Sequence, residues 1–95
     1  MAAYMIVRVK VTDHDRYAKY RQAVLPLIES FGGKRIPGDQ AELLEGDQNG
    51  NRIVLFAFPN IDAIRAFWNS PAYAPVKELR RDAAVLEIWA VPSDD

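Results

Sequence analysis

The run Arg52-Ile-Val-Leu-Phe-Ala-Phe58 is apolar on both faces of an extended chain, with Ile53, Leu55 and Ala57 on one side and Val54, Phe56 and Phe58 on the other. A strand of this kind belongs inside a sheet that is covered on both sides. Helices can cover one face. A chain of 95 residues has little left to cover the other, and the smallest available cover is a second copy of itself. The expected assembly is therefore a homodimer joined through its sheet faces.

The flanking segments fit this frame. Tyr4–Val11 alternates, with Met5, Val7, Val9 and Val11 on one side and Tyr4, Ile6, Arg8 and Lys10 on the other, as a strand with a buried face does. Thr12 or Asp13 can cap the helix that follows, and Asp15 suits its first turn. That helix buries Tyr17, Tyr20, Val24, Leu27, Ile28 and Phe31 at three- and four-residue spacing, leaving Arg16, Lys19, Arg21 and Glu29 largely off that face. Pro26 predicts a kink, and Gly32-Gly33 a helix end.

Lys34–Glu45 reads as a second, edge strand interrupted near Pro37-Gly38-Asp39, and residues 46–51 as a hairpin connection. Beyond the central strand, Asn60 is a helix cap, and Ile61, Ile64, Phe67 and Trp68 form an apolar helix face. Ser70-Pro71 breaks that helix, and a second segment turns Val76, Leu79 and Ala83 inward. Val85–Val91 alternates as a last strand, stopped by Pro92 and the acidic tail. The order β-α-β-β-α-β predicts one α+β domain over residues 1–95: a ferredoxin-like, four-stranded antiparallel sheet with its helices on one face.

Twelve basic and thirteen acidic residues give a net charge of −1, so no global field draws the chain to nucleic acid or to an anionic membrane. The absence of cysteine removes thiolate chemistry and the common zinc frameworks. No apolar run approaches bilayer length, and the start resembles no signal peptide. The expected location is cytoplasmic, with neither a nucleic-acid nor a membrane partner.

The candidate site gathers around Trp68-x-Ser70-Pro-x-Tyr73, where a helix is interrupted between bulky aromatics. Trp68, Tyr73 and Phe56 suit either the walls of an apolar pocket or an ordinary core. Tyr20 can offer its hydroxyl to a molecule held between helix and sheet, or merely reach backbone or solvent. Arg8 interrupts an apolar strand; it is either one half of an ion pair with Glu87 or the anchor for a ligand carboxylate. Arg80 ends a helix, where a cation is at home anyway, yet it falls on the side nearer the sheet. Glu45 closes the second strand and is a possible base, whereas turn chemistry explains Asp47. His14, the sole imidazole, stands at an exposed helix start and reads as solvated rather than as a base or an axial haem ligand. The consecutive Asp13, His14 and Asp15 do not converge on one ion, so neither metal nor cofactor is expected.

Tyr17-x-x-Tyr20, Gly32-Gly33, Leu44-Glu45-Gly46, Phe58-Pro59 and Trp68-x-Ser70-Pro-x-Tyr73 together resemble the family catalogued as domain of unknown function 1330, over nearly the whole chain. The resemblance implies a dimeric α/β barrel, in agreement with the pattern above. It implies no settled activity, although relatives in the wider superfamily include cofactor-free monooxygenases, lactone isomerases and haem-dependent enzymes. Two features depart from the family's pattern: His14, where proline is common, and the stretch Ile36–Asp39, a residue shorter than usual. The expected function is binding of a small, partly apolar or carboxylate-bearing metabolite between helices and sheet. Two readings stay open beyond that: cofactor-free isomerase or monooxygenase-like chemistry, and a non-catalytic binding or interaction module.

Overall fold

The strands build one sheet with two unlike faces, one packed against helices and one not. The computed structural model describes residues 2–36 and 41–93. In chain order it has β1 (Ala3–Val11), α1 (His14–Ser30), β2 (Lys34–Arg35), β3 (Arg52–Phe58), α2 (Ile61–Trp68), α3 (Tyr73–Glu78) and β4 (Ala84–Pro92). The strands lie in the order β2-β3-β1-β4, each antiparallel to its neighbours. This is the ferredoxin-like β-α-β-β-α-β arrangement, with the second helix in two pieces.

On the inner face, Met5 of β1 pairs with Phe56 and Ala90, and Val7 with Val54 and Ile88. Tyr20, Val24 and Ile28 of α1, Ile64 and Phe67 of α2, and Tyr73 of α3 join them in one core. Phe67 is at its centre, 1% exposed, with ring centroids 6.1 Å from Phe31, 6.2 Å from Phe58 and 4.5 Å from Tyr73. Burial of such a side chain contributes about 2–3 kcal/mol.

The outer face carries no helix among the described residues. Across it run the rows Leu55–Ile6–Trp89 and Ile53–Arg8–Glu87. Trp89 is 62% exposed and Val85 66%, so much of this apolar face meets solvent in the single chain.

The helix ends follow local chemistry. Asp13 caps α1 by accepting from the Arg16 N–H at 3.1 Å, and Asn60 caps α2 by accepting from Ala63 at 2.8 Å. Pro26 lies on the exposed side of α1, which continues through it to Ser30. Gly32 takes φ +88° at the helix end, a conformation that costs glycine little. Between α2 and α3, the Ser70 hydroxyl accepts from the Ala72 N–H at 3.1 Å, and helix resumes only at Tyr73.

One expected element is shorter than its sequence suggested. β2 ends at Arg35, with one further bond from the Ile36 N–H to the Leu55 carbonyl at 2.9 Å. Ala41–Glu45 lie outside any strand and are exposed, Leu44 by 88%. The adjacent Leu43-Leu44 does not supply the period-two alternation that presents one face to a core. The expected bend at Pro37-Gly38-Asp39 and the acidic tail at 94–95 fall outside the described residues.

Gly33 sets the approach of α1 to β3. A Cβ there would lie 2.5 Å from Ile28 Cγ2 and 2.7 Å from Phe58 Cζ, both on buried side chains with no room to retreat. Gly33→Ala is expected to destabilise the fold by about 1–3 kcal/mol, measured as a lower midpoint in urea unfolding with an unchanged slope.

Candidate functional site

The inner sheet face and the helices do not close completely on each other. They leave a cavity of about 110 Å³. Met5, Val7, Val9 and Phe56 line its sheet side, and Tyr20 and Tyr73 line it from α1 and α3. An engineered apolar cavity of about 150 Å³ in another protein holds benzene. The space here is thus of the order of a single ring.

Its polar centre is a pair of hydroxyls. Tyr20 Oη and Tyr73 Oη lie 2.9 Å apart, and either can donate. Both side chains are buried, Tyr20 at 6% and Tyr73 at 1% exposure. The Arg80 guanidinium stands over the Tyr20 ring, 5.6 Å from its centroid, and Arg80 Nε is buried without a hydrogen-bond partner among the described residues. Burial opposes the charge on Arg80, but hydrogen bonding and charge interaction with Tyr73 and Tyr20 outweigh it and raise its pKa.

The Tyr20 pKa is raised far above the ordinary value of 10.0, first by burial and then by the neighbouring Tyr73, against a lowering influence from Arg80. Tyr20 therefore stays protonated near neutrality and serves as a hydrogen-bond donor or weak acid, not as a base.

The residues singled out from sequence divide into two groups. Phe56, Tyr20, Trp68 and Tyr73 all line the cavity, and Arg80 adjoins it through Tyr20. Trp68 is 37% exposed; its ring packs 5.4 Å from that of Tyr73 and carries the Lys77 ammonium at 4.4 Å. Arg8 and Glu45 are not brought to this cavity. Arg8 projects from the outer sheet face, where its Nη1 lies 3.4 Å from Glu87 Oε1, because even-numbered β1 residues point away from the helices. Glu45 sits in the exposed segment that forms no strand.

Other lining residues were not assigned to the site from the sequence. His14, expected to be merely solvated, is exposed and also lines the cavity, as do Tyr17, Arg21, Arg35 and Arg52. The signals were present. Arg21 follows Tyr17 by one helical turn, and Arg52 precedes Val54 by two residues on the inner side of β3. Among the described residues the lining holds no carboxylate, and no three His, Cys, Asp or Glu side chains converge as a metal set would. Nor is any helix of the described residues long and apolar enough to cross a membrane.

Residues 2–93 match the model of the family described as Domain of unknown function (DUF1330). No curated protein matches the chain in sequence. Among solved structures, a protein of unknown function from Rhodopseudomonas palustris is similar at TM-score 0.75 and 20% identity, over 99% of this chain and 83% of that one. The cofactor-independent oxygenase SnoaB from Streptomyces nogalater is similar at TM-score 0.61 and 14% identity, over 99% of this chain and 94% of its own. At these identities the likeness is one of fold.

Because Tyr20 binds its proton more tightly when folded, its contribution to stability is full below the ordinary tyrosine pKa and is lost as the pH rises through the raised value. Wild-type stability should therefore fall as the pH climbs past about 10, and Tyr20→Phe should flatten that fall in denaturant titrations across alkaline pH. Near neutrality, Tyr73→Phe leaves a buried hydroxyl short of a partner and should cost about 1–3 kcal/mol. The double variant should cost less than the sum of the two singles.

Proposed function

The chain belongs to the family described as domain of unknown function 1330, and from that premise we propose that it is a cytoplasmic homodimer, joined through its sheet faces, that binds a small, partly apolar metabolite between helices and sheet. The observation that carries the binding reading is the cavity of about 110 Å³ with the Tyr20–Tyr73 hydroxyl pair in its wall. A small polar feature in an apolar hollow orients a ligand while the walls supply affinity. No nucleic-acid or membrane partner enters this reading.

If the bound molecule is turned over, the reaction class we propose is cofactor-free isomerisation or oxygenation. The similar fold of a cofactor-independent oxygenase supports this by analogy alone. A specific observation favours the second reading, a non-catalytic binding module. The described lining lacks carboxylates, and Tyr20, whose pKa is raised, is unsuited to act as a base.

Two experiments test the proposal. Single-ring and short-chain metabolites are titrated into labelled protein and followed by amide NMR. Shifts should centre on Tyr20, Trp68 and Tyr73 and vanish in Val54→Phe, which fills the cavity from the sheet side. Binding that survives the filling variant would sink the cavity reading. For the assembly, sedimentation at micromolar concentration should give a dimer for the wild type and a monomer for Trp89→Asp, which places a charge on the apolar outer face of the sheet. A monomeric wild type would refute the sheet-face dimer.

A further inference from the structure

Among the described residues, the charged side chains that line the cavity are of one sign. Arg21 lines it from α1 and Arg52 from β3, both exposed. Neither has a carboxylate partner among the described residues, unlike Arg8, Arg65 and Arg81, which pair with Glu87, Asp62 and Glu78. Arg35 lines the same space. The whole chain has a net charge of −1, so this concentration of cations is a local arrangement rather than a consequence of composition.

The Tyr17 hydroxyl reports the field at this rim. Burial prevails and raises its pKa, and Tyr73 adds to the rise, while Arg21, Arg80 and Arg52 each act against it; each guanidinium favours negative charge at that point. Just inside lie apolar walls. A guanidinium answers a carboxylate or phosphate with paired, directional hydrogen bonds.

We infer that Arg21 and Arg52 form an anion-reading rim, so that the cavity takes an amphiphilic organic acid with its anionic group between the two guanidiniums and its single-ring or short aliphatic body reaching toward Tyr20 and Tyr73. This rests on the ligand-binding reading above and adds to it the ligand's charge, its orientation and the residues that recognise it. Arg8, paired with Glu87 on the far side of the sheet, is not the anchor for such an anion; Arg21 and Arg52 are.

The probes are 4-methylbenzoate and its neutral counterpart 4-methylbenzamide, titrated into the full chain by amide NMR. The benzoate should bind the wild type about tenfold more tightly, the scale of a hydrogen-bonded charge that is partly exposed. The double variant Arg21→Gln/Arg52→Gln should erase that preference and leave benzamide binding unchanged, which also shows that the cavity remains folded. In the wild type, raised ionic strength should weaken the benzoate and not the benzamide. Equal binding of the two probes, or a preference that survives the double variant, overturns the anion-reading rim while the cavity reading stands. If neither probe binds, both fail.

Discussion

The hydrogen bond between Tyr20 and Tyr73 joins residues 53 apart in the chain, and it is where fold and site meet. α3 is a six-residue helix, too short to hold itself together in water. Its position comes from Tyr73, which packs against Phe67 and Trp68 and places its hydroxyl against that of α1. Two buried hydroxyls that satisfy each other cost little; either alone is expensive. The interruption at Ser70-Pro71 follows from this need, because it turns the chain between Trp68 and Tyr73 so that both side chains reach the same hollow.

The two faces of the sheet then have separate tasks. Residues of β1 alternate between them, so Met5, Val7 and Val9 build the cavity floor while Tyr4, Ile6 and Arg8 face away. Among the described residues the outer rows are apolar apart from the Arg8–Glu87 pair and the exposed Lys10 and Lys34. Such a surface has a hydrophobic reason to associate, and a cross-strand ion pair within it can help to fix how a partner is oriented. Changes on one face should therefore leave the chemistry of the other largely intact, since the backbone lies between them.

Fold and site were legible in the sequence to different depths. β1, β3, α1 and the broken second helix could be read because each repeats its apolar residues at the period of its secondary structure over several turns or pleats. β2 could not, because Leu43 and Leu44 are adjacent and no local pattern records where an edge strand stops pairing. For the site, Tyr20, Phe56, Trp68 and Tyr73 were recognisable as aromatics on inner faces. Arg21, Arg52 and His14 were not: His14 and Arg52 open their elements and Arg21 flanks the apolar face of α1, and such charged residues resemble solvated surface until the third dimension shows that α1 begins beside the start of β3. Arg8 misled in the opposite way: its oddity within an apolar strand is explained by Glu87 in the register-matched position of β4.

The proton inventory of the cavity limits what chemistry it can support. Tyr20 holds its proton firmly, Arg80 remains a cation, and no carboxylate is present in the described lining. A reaction that begins by removing a proton from the ligand has only His14 at the rim as a conventional base among these residues. A ligand that arrives already ionised needs no such base. The guanidiniums of the rim act to favour the ionised form of a weak acid, as they do at the Tyr17 hydroxyl, where burial nonetheless prevails and raises the pKa. The anion recognition proposed above and base-free chemistry would both follow from one charge arrangement: guanidiniums outside and protonated phenols inside an apolar hollow.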